Sequence, residues 1–265
     1  MQIQSVRMAR PPVREAALEF SREDGSYRLN RNDFEDTFVA QVEDHLTTLA
    51  GEKIELPDFG EQNLQAAFKV AAQVIGAGPA LALAGEAMAA LVSDKDRQDF
   101  NVGTLNRMSA KPFEQVQNSD TLIYAGPQEH VGYGASTVNG VILPNGFEPL
   151  LPHPVGAFIV GHELGHVEGN HVVKGFGRDY MARNLAGTEY GETAAEQAKL
   201  LQWESEFEAD RRGVSYALQQ GHSAAEVRAG VQKFFGITGA DPSDTHPGDD
   251  SRLQRIDAAL EASGQ

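Results

Sequence analysis

His162 and His166 stand four residues apart with Glu163 beside the first of them, in the stretch Val160-Gly-His-Glu-Leu-Gly-His-Val-Glu-Gly-Asn-His171. On a helix this spacing sends both imidazoles from one face, where they can grip a single metal ion while Glu163 projects toward a bound water. The chemistry open to such a set is hydrolysis: zinc acidifies water and polarises a carbonyl, and a neighbouring carboxylate moves the proton. A hydrolytic zinc keeps three protein ligands and one open position, so a third donor must come from elsewhere in the chain.

The stretch Trp203-Glu-Ser-Glu-Phe-Glu-Ala-Asp-Arg-Arg-Gly213 offers that donor. Glu206 and Asp210 fall four apart on one helical face, so the Glu can reach the metal and the Asp can fix a ligand histidine from behind. Glu204 and Glu208, at the same spacing, compete as donors. Negative charge developing on a substrate calls for a hydrogen-bond donor facing the metal. His246, in Thr245-His-Pro247, is the first candidate, with Tyr216 and Arg252 behind it. His171 lies five residues past His166, about 140° around a continuous helix and off the ligand face. It reads as a buried hydrogen-bonding residue.

These groups need elements to hold them. Pro152-His-Pro154 halts the chain before the metal helix, expected from about Val155 to Lys174, with Phe158, Ile159 and Leu164 packing behind the metal face. After a short soluble excursion a second ligand helix begins near Glu192 and stops at Gly221; the intervening chain is long enough to turn back on the first. Ser223-Ala-Ala-Glu226 is a capping box opening a third helix through Phe235. A loop over 239–248 leads to a terminal amphipathic helix with Leu253, Ile256 and Leu260. Upstream, Ala135–Phe147 is predicted as one β-branched strand ending in a Pro-Asn-Gly turn, its Gly140 and Pro144 suited to a sheet edge. Thr121–Tyr124 predicts another strand.

The first part of the chain predicts helices over 32–49, from about Glu61, and over 66–92, the last a pair joined at Gly76-Ala-Gly-Pro79. Pro11-Pro12 blocks a helix, Ser21–Gly25 reads as a turn, and Ser93–Asp99 as a solvated surface link. Lys69, Gln73 and Glu86 interrupt the Ala-rich stretch, so no stable membrane span is expected. The division this suggests is a mostly helical appendage over 1–120, covering or framing a cleft, and a catalytic core over 121–265.

Composition narrows the partners. A formal charge of −16 argues against nucleic acid and anionic membrane surfaces, which are bound through Lys and Arg. With no cysteine there is no disulfide, thiol catalysis or thiolate-bound zinc. The N-terminal residues lack the apolar core of a signal peptide, so a soluble, cytoplasmic protein is expected from the sequence as it stands, periplasmic or secreted if a leader was removed.

The strand from Asn139 to Gly146, His162-Glu-Leu-Gly-His166 with His171 after it, Glu206 to Asp210 with Gly213, and Thr245-His-Pro247 with Arg252-Leu253 occur in one order. Together they resemble the gluzincin metalloendopeptidases of peptidase family M48, a group that includes CAAX prenyl endopeptidases, heat-shock membrane proteases and soluble periplasmic metallochaperone proteases. The resemblance implies an α+β fold: a mainly helical zincin-type peptidase with a small sheet whose edge strand borders the active-site cleft. It implies one Zn2+ per chain on His162, His166 and Glu206, Asp210 behind a ligand, and Glu163 as general base and acid. It also implies a peptide or protein substrate lying as an added strand along Asn139, Gly140 and Val141. His246 would assist catalysis or approach the metal and hold the enzyme off. Residues 1–120 match nothing in that group, and its membrane spans are missing here.

Two other readings compete. A metzincin places Gly three residues and His six residues beyond its second ligand; Gly169 fits, but position 172 is Val and His171 comes one residue early. A catalytically silent zinc-fold adaptor or chaperone module has no physical need of Glu163, which is intact.

Overall fold

The computed structural model describes residues 18–20, 27–29, 31–56, 64–113 and 121–263. The expectations for Pro11-Pro12, the Ser21–Gly25 turn and the helix start near Glu61 lie outside them. The chain opens with an antiparallel ribbon of β1 (Leu18–Phe20) and β2 (Tyr27–Leu29). Four helices follow: α1 (Arg31–Ala50), α2 (Leu64–Ile75), α3 (Ala77–Leu91) and α4 (Asp94–Arg107). Next come β3 (Lys111–Pro112), β4 (Leu122–Gly126), the single turn α5 (Gln128–Val131), β5 (Ala135–Ser136) and β6 (Gly140–Pro144). The remainder is helical: α6 (Pro154–Glu168), α7 (His171–Leu185), α8 (Gly191–Gln219), α9 (Ala224–Thr238) and α10 (Asp249–Ala262). Among the described residues no helix is long and apolar enough to cross a membrane.

Two apolar clusters organise these elements. Phe34 and Phe38 of α1, Phe68 of α2, Leu81 and Met88 of α3, and Met181 and Leu185 of α7 form one. Val141 and Leu143 of β6, Phe158 and Leu164 of α6, Val214 of α8, Val231 of α9 and Ile256 of α10 form the other. The first cluster does not stop at residue 120, because α7 and Ala194 of α8 complete it. The N-terminal helices therefore pack directly on the elements that follow the metal helix.

The crossing of α6 and α8 sets the distance between the ligand helices, and glycine sets the crossing. A Cβ on Gly161 would lie 2.4 Å from Cβ of Tyr216, one on Gly165 2.9 Å from Cα of Ala209, and one on Gly213 2.8 Å from the Phe158 carbonyl oxygen. Side chains at these three positions would wedge the helices apart and pull the third donor away from the two imidazoles.

Several expectations need correction. Ser93 does not begin a surface link; it caps α4, its Oγ accepting from Asp96 N–H while the Asp96 carboxylate accepts from Ser93 N–H. The metal helix ends at Glu168, not Lys174, because Asn170 is left-handed with φ 55° and ψ 31°. The stretch expected as an excursion is the helix α7. Ala135–Phe147 is not one strand but two, β5 and β6, pairing antiparallel with Ser136 opposite Val141. The sheet order is β3-β4-β6-β5, so β6 is interior, with β4 parallel on one side and β5 on the other. The edge expected at Asn139, Gly140 and Val141 is in fact β5: Gly140 and Val141 are buried in β6 beside it, since a run as uniformly apolar as Val141-Ile-Leu143 belongs inside a sheet.

Candidate active site

Helix α6 presents His162 and His166, and α8 presents Glu206 across the glycine-lined crossing. Their donor atoms all lie within 4.8 Å of one another. The separations are 3.1 Å between the two Nε2 atoms, 3.4 Å from His166 Nε2 to Glu206 Oε1 and 3.6 Å from His162 Nε2 to Glu206 Oε2. Ligands about 2.0–2.1 Å from a tetrahedral zinc stand about 3.3 Å apart, so the three fit one ion. Two further observations agree. Glu206 Oε2 is buried with no hydrogen-bond partner, and two imidazole nitrogens facing each other this closely repel unless a cation or proton lies between them. Glu204 and Glu208, the rival donors, are solvent-exposed.

Behind His162, Asp210 Oδ1 lies 2.9 Å from its Nδ1. Asp210 is fixed in turn by Arg252 of α10, which donates from Nε at 2.9 Å and from Nη2 at 2.6 Å. Burial pushes the Asp210 carboxyl up, but the hydrogen bonds from Arg252 and His162 prevail and hold it below the usual carboxylate range. Burial likewise favours neutral His162, yet Asp210 overrides this and raises its affinity for a proton. The same partner favours a metal cation on Nε2. His166 goes the other way: burial first, then the neighbouring His162 and His171, keep it neutral.

Glu163 is raised to about 7, chiefly by burial, with His162 opposing and the Glu206 charge adding to the rise. A carboxyl with that affinity can both accept and release a proton near neutrality. It faces a cleft of about 330 Å3 whose lining includes Val131, Tyr133, Phe158, Ile159 and Phe235. Gly134, just before the edge strand β5, comes so near that a Cβ there would lie 3.1 Å from Glu163 Oε1.

The other expected site residues fall in different places. His246 hangs over the centre from the 239–248 loop, 56% exposed at its side chain, its Nε2 3.8 Å from Glu206 Oε1. That loop is pinned by Trp203 Nε1 donating to the Ser243 carbonyl at 2.9 Å, and within it Thr245 Oγ1 lies 2.9 Å from His246 Nδ1. Arg252 is occupied by Asp210 and stacks on Phe235 at 4.8 Å. Tyr216 is buried against Gly161 in the second core and does not line the cleft; nor do Asn139, Gly140 and Val141. His171 is brought back to the site, its Nδ1 3.0 Å from His166 Nδ1. Sequence reasoning passed over Val131, Tyr133, Gly134 and the aromatic pair Phe234-Phe235, whose only signals were an aromatic between two glycines and two adjacent rings near a helix end.

No curated protein matches the chain. Residues 153–260, which span both ligand helices, the His246 loop and most of α10, match the model of peptidase family M48, and over this stretch the chain is similar to that family of zinc-dependent metallopeptidases.

Proposed function

We propose that the protein is a zinc endopeptidase, with His162, His166 and Glu206 holding one ion and Glu163 carrying the proton. The observation that carries this reading is the coincidence of three convergent donors with a buried carboxyl, poised near neutrality, facing a cleft beside β5, the outermost strand of its sheet among the described residues. A zinc ion held there supplies an acidified water and a polarised peptide carbonyl. Glu163 takes the proton of the attacking water and passes it to the leaving amine. His246 stands where it can donate to the developing oxyanion. The substrate backbone pairs with the outer edge of β5, next to Gly134, in place of the interior strand β6.

Internal bonds are favoured because Arg252, the one Lys or Arg among the described residues that line the cleft, is paired with Asp210 and so is not available to hold a C-terminal carboxylate. The decisive experiment is zinc analysis with casein digestion. The purified chain is expected to carry about one zinc and to yield internal fragments, with activity lost to a chelator and restored by zinc. Tightly held zinc with no cleavage of any unfolded protein would instead make this a silent adaptor.

The cleft walls also define what flanks the scissile bond. Phe158, Ile159 and Phe235 form an apolar floor, and Tyr133 stands edge-on to Phe234 with ring centres 4.9 Å apart. Burying a Leu or Phe side chain contributes roughly 1.5–3 kcal/mol, so peptides carrying one beside the cleaved bond should exceed their Asp counterparts by about 10- to 100-fold in kcat/KM. Phe234→Ala should shrink that ratio in a peptide-library digest; an unchanged ratio would remove the wall from the argument.

A further inference from the structure

The turn between α6 and α7 does something an unbroken helix could not. On a continuous helix His171 would point about 140° away from His166. Asn170, left-handed at φ 55°, breaks the helix and restarts it with His171 as its first residue. The ring folds back until its Nδ1 is 3.0 Å from His166 Nδ1, and its Nε2 is 3.3 Å from Glu208 Oε2. Gly169 makes room for it, since a Cβ there would lie 2.2 Å from His171 Nε2.

One assignment of protons satisfies every atom in this row. For His166 to offer Nε2 to a metal its proton must sit on Nδ1, where His171 Nδ1 accepts it. His171 then carries its own proton on Nε2, facing the Glu208 carboxylate. The two ligand imidazoles are thus oriented by different devices: Asp210 with Arg252 behind His162, and His171 with Glu208 behind His166.

The turn itself is held from outside the family-matched stretch. Arg97 of α4 donates from Nη1 to Asn170 Oδ1 at 2.7 Å and to the Val138 carbonyl at 3.5 Å. We propose that His171 is a positioning residue for the metal ligand His166, and that Arg97, through Asn170, sets its place, so that the N-terminal helices help to hold the metal. This rests on the zinc reading above.

Zinc affinity of the full-length chain, measured by competition with a chromogenic chelator, tests it alongside the melting temperature of the metal-free form. His171→Leu is expected to weaken zinc binding by about 10- to 100-fold, the usual cost of losing a partner behind a ligand histidine. His171→Gln, whose amide can accept from His166 and donate to Glu208, should rescue most of the loss. Arg97→Ala should weaken zinc by a smaller factor, and cobalt-substituted His171→Leu should show a shifted visible spectrum. Wild-type zinc affinity in His171→Leu would overturn the proposal. So would equal losses in the Leu and Gln variants that follow the fall in metal-free melting temperature, since that pattern marks a packing role alone. A wild-type chain that takes up no zinc would instead sink the parent reading.

Discussion

Glu163→Gln should leave zinc bound and lower kcat by about 10²- to 10⁴-fold, the range contributed by a positioned general base. The substitution keeps shape and removes only the ability to exchange a proton. Its stability signature separates it from a folding defect. Glu163 is raised to about 7 in the folded, metal-free protein from an ordinary 4.5, so the folded state binds the proton more tightly than the unfolded chain. Stability of the metal-free form therefore falls as pH climbs from the ordinary carboxylate value through about 7, by up to about 3 kcal/mol. Gln carries no such penalty. The metal-free Glu163→Gln variant should melt higher than the wild type at pH 8 and nearly level with it at pH 4, by calorimetry. With zinc present, the cation favours the carboxylate, and the acid limb of kcat/KM should fall below pH 7. An inactive variant that melts lower at pH 8 would indicate damage to the fold and remove Glu163 from the proton pathway.

The parts of the site legible in the sequence were those carried by helical spacing. His162, His166, Glu206 and Asp210 could be placed because a four-residue interval fixes a face whatever the helix packs against. The proximity of the two helices was not legible, because it depends on Gly161, Gly165 and Gly213 meeting across a crossing that no local pattern announces. The turn at Gly169-Asn170 has the composition of a left-handed helix end, yet Val172 and Val173 beyond it continue an apolar pattern, and only the packing of α7 on α3 decides for a new helix. There Gly177 lies so close to α3 that a Cβ would meet the Ala84 carbonyl oxygen at 2.2 Å. The edge strand was misread for a related reason. β5 is two residues long and makes no periodic signal, whereas β6 is conspicuous because it is covered on both sides. His171 is buried, and its contact with His166 is not legible in the sequence because only the broken helix brings the two rings together.

Glu206→Ala should weaken zinc binding more than any other carboxylate change on α8, and activity with it. Zinc held by four protein donors is bound with about 10–16 kcal/mol, or about 2.5–4 kcal/mol per ligand, so deleting one donor of three should weaken binding by about 10²- to 10³-fold. Asp at this position would not restore it, because α8 is fixed by the glycine crossing and cannot advance to make up for the missing methylene. Two controls separate this carboxylate from its neighbours on the same helix. Glu204 is exposed and pairs only loosely with Arg255 at 3.5 Å, so Glu204→Gln should bind zinc as the wild type does. Glu208 touches the metal set only through His171, so Glu208→Gln should cost less than His171→Leu. The resulting order of zinc affinity, Glu204→Gln above Glu208→Gln above Glu206→Ala, follows from one geometric fact: of the three carboxylates only Glu206 is turned inward, its Oε2 buried without a hydrogen bond. A buried, unpartnered carboxylate oxygen facing two imidazoles costs folding energy that a cation returns. Glu206→Gln should accordingly raise the melting temperature of the metal-free protein while lowering that of the zinc-loaded one, a reversal that a surface or packing role for Glu206 would not produce.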